Sequence, residues 1–198
     1  MLYGSVPAVV VVRAFNENYE MVSQGTGFVI NSTGTIATNY HVIDNSYSLQ
    51  VSFMNGEKYD VRGFYTIDKD KDIAIMDIPG FDLPYIKLGN SNTAQVGDEV
   101  STIGNPLCGT DPFSKNTFSK GNVSQIYNDN NGTKWIKFTA PISSGNSGGP
   151  LLNAYGEVVG IVTAAWDIED DISQNLNLAV PINYVRGYLK DDFSEDDI

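Results

Sequence analysis

Short runs of apolar residues, rich in Val, Ile, Phe and Tyr, alternate along the chain with clusters of Gly, Asn, Asp and Pro. The clearest are Ala8–Ala14, Gly27–Ile30, Leu49–Phe53, Ile73–Ile78, Glu99–Ile103, Trp135–Phe138, Val158–Val162 and Leu176–Val180. Strands of this length, with turn residues recurring every ~8–12 positions, predict an all-β sandwich or barrel. Helical spacing of apolar positions occurs only around Asn183–Lys190, so one short helix is expected near the end. The polar, turn-rich stretch Leu88–Gly97 is the expected crossing between two lobes, and the acidic tail Asp191–Ile198 is expected to fray. No repeat of fixed period interrupts this pattern.

Size permits a self-sufficient core. A chain of 198 residues is one large domain or two small lobes, and it removes roughly 70% of its unfolded surface from water. Cys108 is the single cysteine and cannot form an internal disulfide; this fits a reducing compartment without excluding bacterial export. No apolar run approaches the ~20 residues that span a bilayer. Val6–Val12 lacks a basic leader and a cleavage site, and reads as a first strand rather than a signal peptide. A soluble protein of the bacterial cytoplasm or of an extracytoplasmic space is expected. The formal net charge is -12, from 24 acidic and 12 basic residues. With no basic stripe to offset it, this charge argues against nucleic acid as a partner.

Candidate chemistry starts from the only histidine, His41, in Thr38-Asn-Tyr-His-Val42. A second signal is Gly145-Asn-Ser-Gly-Gly-Pro150, where glycines around Ser147 allow a tight turn that exposes the hydroxyl and aims amide N–H groups at a carbonyl oxygen. Gly-x-Ser-x-Gly also fits the α/β-hydrolase elbow, but there the histidine follows the serine, and none follows Ser147. The subtilisin order needs an aspartate before the histidine, yet the first aspartate is Asp44. Among serine triads this leaves His…Asp…Ser, the chymotrypsin order, which agrees with the strand pattern.

Asp68, Asp70 and Asp72 alternate with lysines before an apolar run. Asp72 directly precedes the strand and is the candidate partner of His41, whereas Asp68 and Asp70 are assigned to an exposed turn. A calcium loop is rejected because Ile73 and Pro79 stand where a Gly and a Glu are required. One histidine and one cysteine cannot assemble a usual zinc site, so no metal or cofactor is implied. Cys108 is expected to be inert, and the Asn-x-Ser/Thr triplets at Asn31, Asn122 and Asn131 are assigned no role.

From Val6 to Val185 the chain resembles the catalytic domain of HtrA/Deg-type trypsin-like serine proteases, which act in protein quality control. The resemblance runs in order through Gly25-Thr-Gly-Phe28, Thr38–Val42, Asp72-Ile-Ala-Ile75, Leu88-Gly-Asn-Ser91, Val96-Gly-Asp-Glu-Val100, Ile103-Gly-Asn-Pro106, Gly121-Asn-Val-Ser124, Gly145–Pro150 and Ala179-Val-Pro-Ile182. It implies two six-stranded β-barrels packed together, with a short C-terminal helix. The first lobe (1–92) would carry His41 and Asp72, and the second (93–190) Ser147, followed by the tail 191–198. It also implies His41 as general base, Asp72 as orienting acid, Ser147 as nucleophile, and an oxyanion hole at Gly145, Asn146 and Ser147. Thr163 would support the aspartate, and Thr163–Ala165, including Ala164, would pair with the substrate backbone.

Tryptic enzymes place an acid six positions before the nucleophile; here that residue is Pro141. Together with Ser144, the resemblance puts Ile142, Ala179 and Val180 around the primary pocket, implying small or medium aliphatic side chains before the scissile bond. Departures are a short loop within Asn16–Gln24 and no PDZ domain. Homotrimers are common in the family. Two other readings remain open: a protease-fold binding or chaperone protein with latent hydrolytic activity, and an esterase using the same machinery.

Overall fold

A computed structural model describes residues 5–105, 117–163 and 177–189. Cys108, Ala164, Ala165 and the acidic tail lie outside the described residues.

The first sheet comprises β1 (Val9–Phe15), β2 (Met21–Val29), β3 (Thr35–Thr38), β4 (Ser48–Ser52), β5 (Lys58–Asp60), β6 (Gly63–Asp68) and β7 (Ile73–Asp77). Its order is β5-β4-β1-β2-β3-β7-β6, and every pairing is antiparallel. The strands β8 (Glu99–Gly104), β9 (Thr117–Asn128), β10 (Lys134–Phe138), β11 (Pro150–Leu152), β12 (Val158–Thr163) and β13 (Asn177–Pro181) close into a barrel in the order β10-β13-β12-β11-β8-β9. The helical segments are α1 (Tyr40–Ile43), a single turn, and α2 (Asn183–Leu189).

The chymotrypsin-like, all-β architecture expected from the sequence is therefore present, and the second half is a six-stranded closed barrel. The first half has seven strands rather than six, for a local reason. Its two edge strands, β5 and β6, are consecutive in the chain and joined only by Val61 and Arg62. The Val61 N–H donates back to Leu49 O at 3.1 Å, beside β4, and the Arg62 N–H donates to Asp77 O at 2.8 Å on β7. One bent strand thus changes partners at a corner and is divided in two there.

Val9, Val10 and Val12 of β1 are all buried, because a strand in the wall of a curved sheet is covered on both faces. They join a core that continues through Ile36, Ile75 and Met76 into Leu152, Ile161, Val180 and Ile182 of the barrel. A separate cluster, including Val123, Ile136, Phe138, Leu151 and Val162, fills the barrel interior. Burying each Val or Ile contributes about 1.5–3 kcal/mol, so the shared cluster ties the two halves together strongly.

The crossing segment is strapped to the barrel by a parallel bridge between Leu88 and Val158. Arg186 Nη1 of α2 donates to Leu88 O at 3.0 Å, and Asn183 and Ser91 cap one another reciprocally at 3.1 and 3.2 Å. Val185 and Leu189 root α2 in the shared core. No helix among the described residues is long and apolar enough to cross a membrane.

Candidate active site

Two of the candidate side chains are joined by paired hydrogen bonds. Asp72 Oδ2 lies 2.7 Å from His41 Nδ1, and Asp72 Oδ1 accepts the His41 main-chain N–H at 2.8 Å. A carboxylate only accepts, so in this bond Nδ1 is the donor. The side chains are 26% and 12% exposed, a half-sheltered position in which the ion pair is formed only when the imidazole is protonated. Local structure explains the aim. Thr38 ends β3, Asn39 breaks into extended backbone, and the single turn α1 lifts His41 above the sheet end. Asp72 ends the β6–β7 turn with φ +56, a left-handed conformation costing a non-glycine residue about 1 kcal/mol or more.

Asn39, fully buried, fixes this corner: its Nδ2 donates to Asp72 O at 2.9 Å and to Thr163 Oγ1 at 3.0 Å. Thr163 thus reaches the aspartate's main chain through Asn39. Neither Asn39 nor the link was assigned from the sequence, although Asn39 lies within the Thr38–Val42 motif.

The serine segment is built from main chain. Ser143 to Asn146 make a turn closed by Asn146 N–H to Ser143 O at 3.0 Å, with Gly145 at φ +96. Gly148 has φ +86, and its N–H donates to Val162 O at 2.8 Å. A methyl group at Gly148 would lie 2.0 Å from Thr26 O and 2.3 Å from Thr38 Oγ1, so the segment is pressed onto β2 and β3 of the opposite half. Thr26, fully buried, is the hub of that contact. Its N–H donates to Ser147 O at 2.8 Å, its hydroxyl donates to Gly145 O at 2.6 Å, and that hydroxyl accepts Asn105 N–H at 2.9 Å. Thr38 Oγ1 in turn donates to Thr26 O at 2.7 Å. Gly25 lies between Val42 and the Ser147 carbonyl, each within 3.0 Å of where its Cβ would stand. The serine's main chain therefore sits next to the residue that follows His41.

The structure so brings the segment of Ser147, Gly145 and Asn146 to the same seam as His41 and Asp72. The residues assigned to the specificity pocket divide. Pro141 and Ser144 are exposed and Ile142 is half-buried. Ala179 and Val180 are fully buried, and as consecutive strand residues they face opposite ways. Ala179 belongs to the barrel core and Val180 to the shared core. Asp68 also departs from expectation: it is a half-buried anchor, not an exposed turn residue. Among the described residues no cluster of His, Cys, Asp and Glu could hold a metal ion.

Residues 25–161 match the family described as the trypsin-like peptidase domain. The chain belongs to that family. Similar proteins include the anti-sigma-I factor RsgI9 of Acetivibrio thermocellus, 34% identical across 93% of this chain and 24% of its own length. Serine protease HTR4 of Rattus norvegicus is 33% identical across 93% of this chain and 38% of its own length. HTRA1B of Danio rerio is 34% identical across 92% and 38%. The chain thus spans between about a quarter and two fifths of these relatives. A crystal structure of the serine endoprotease from Yersinia pestis superposes with a TM-score of 0.77 at 28% identity, covering 94% of this chain and 62% of that one. The two serine proteases among these relatives carry names of the HtrA type that the motif series resembled.

Proposed function

We propose that the chain is a serine endopeptidase in which Ser147 attacks the peptide carbonyl, His41 Nε2 accepts and later returns the proton, and Asp72 holds the imidazole tautomer and stabilises the imidazolium. The carrying observation is the Asp72 carboxylate bridging His41 N–H and Nδ1, beside a seam into which the Ser147 main chain is locked. The N–H groups of Gly145 and Ser147 receive the oxyanion of the tetrahedral intermediate. An acyl-enzyme on Ser147 Oγ forms as the amine leaves, and water then hydrolyses it. Unfolded or flexible protein segments are the substrates, lying alongside Thr163 at the end of β12. Pro141 in place of an acid and the half-buried Ile142 favour a small or medium aliphatic side chain before the scissile bond.

The test is labelling by a fluorophosphonate probe together with cleavage of unfolded casein, in the wild type and in Ser147→Ala. Both signals are expected in the wild type, with turnover lowered on the order of 10⁴-fold or more in the mutant. A folded wild type that neither labels nor cleaves would overturn the proposal in favour of a binding protein on a protease scaffold.

A further inference from the structure

The turn carrying Asp72 is gripped by the last described element of the chain. Asp68 closes β6, and its side chain is only 16% exposed. Its Oδ1 accepts the Lys71 N–H at 2.9 Å. Its Oδ2 accepts Lys71 Nζ at 2.8 Å and also the hydroxyl of Tyr188, which comes from α2, 120 positions away. The Lys71 ammonium lies 5.4 Å from the ring centroid of Tyr184, one helical turn before Tyr188 on the same face. Asp72 N–H meets Lys69 O at 3.3 Å, so the segment from Asp68 to Asp72 has little slack. Asp72 itself holds a left-handed conformation, of the kind that persists where surrounding structure over-determines it.

We propose that Asp68 and Tyr188 are positioning residues for Asp72: through the Tyr188 hydroxyl, α2 holds the turn so that both Asp72 oxygens stay aimed at His41. This rests on the acid–base pair proposed above. Burial alone would raise the Asp68 carboxyl, but the hydrogen bonds from Lys71 and Tyr188 outweigh it and keep the group below its ordinary value. Asp68 is therefore ionised at neutral pH and able to accept from both partners.

His41 is the chain's only histidine, so ¹⁵N-histidine labelling of the full chain yields one imidazole spectrum that reports the tautomer whether or not the enzyme turns over. The wild type is expected to show the Nδ1–H form. Tyr188→Phe and Asp68→Asn are each expected to mix in the Nε2–H form and lower kcat by about 3- to 10-fold with KM unchanged. Val185→Ala, which loosens the same helix from its buried face, is expected to lower the thermal midpoint while leaving tautomer and kcat as in the wild type.

An unchanged tautomer and kcat in both Tyr188→Phe and Asp68→Asn would overturn the positioning role, as would the same losses in Val185→Ala. Asp72→Asn separates the two levels. If it lowers turnover by about 10⁴-fold while Tyr188→Phe and Asp68→Asn are both silent, only the positioning role falls. If Asp72→Asn matches the wild type, the acid–base reading falls and the positioning role with it.

Discussion

The proposed acid–base half of the site and the proposed nucleophile half are built by different means. His41 on α1 and Asp72 in the β6–β7 turn flank one sheet and are joined through the Asp72 carboxylate, with Asn39 and Asp68 bracing the corner. The Ser147 segment is shaped by glycine conformations in the other half and held by main-chain bonds across the seam, chiefly to Thr26. A side-chain brace can lose one hydroxyl and relax. A backbone pressed against another backbone has no such tolerance, because nothing there can rotate aside.

Gly148→Ala is the sharpest way to break that contrast. The added methyl would collide with Thr26 O and Thr38 Oγ1 at a positive φ, so overpacking and strain together should cost about 2–5 kcal/mol. The shifted Ser147 N–H should reduce turnover by about 10³-fold, read by kcat alongside denaturant unfolding. A mutant that unfolds and turns over like the wild type would refute the backbone-locked seam.

Thr26→Val keeps the volume but removes the hydroxyl that accepts Asn105 N–H and donates to Gly145 O. A loss of about 2 kcal/mol is expected from the unsatisfied pair, with kcat falling by about 10-fold. Equal effects from Thr26→Val and Thr26→Ser would assign the hub to packing and not to its hydroxyl.

The smallest effect lies on the acid–base side. The folded Asp68 carboxyl sits below its ordinary 3.8, so its contribution is fully present above that value and is lost as pH falls through the lower folded one. The groups facing it are Lys71 and Tyr188, with Tyr184 beyond Lys71. Thermal midpoints of wild type and Asp68→Asn should differ by about 2–4 °C near neutrality, the shift that about 1 kcal/mol gives at this size. They should converge as pH falls below 3.8. A difference independent of pH would mean that the carboxylate charge plays no part.

What was legible in the sequence follows the same divide between periodic and non-periodic signals. Strands with continuous apolar runs, such as β1 and β12, were readable because burial on both faces demands them. By contrast, β9 is largely exposed and polar along its twelve residues, β3 and β11 are shorter than the pattern resolves, and α1 is a single turn. His41, Asp72 and Ser147 could be proposed from the sequence because chemistry restricts the types and order of a triad. Thr26 and Asn39 were not, since polar residues count as surface until a fold buries them. The bond between Asp68 and Tyr188 leaves no trace in either local pattern.

The seam also sets an order of events during synthesis. Every strand of the first sheet, with His41 and Asp72, precedes residue 78, whereas two braces of that corner, Thr163 through Asn39 and Tyr188 through Asp68, are made last. The serine segment needs Thr26 from the early half and Val162 from the late one. Because chains emerge N-terminus first, the proposed nucleophile is completed only when the barrel docks, the same event that brings the late braces to the acid–base corner, and until then the nascent chain has no cutting edge.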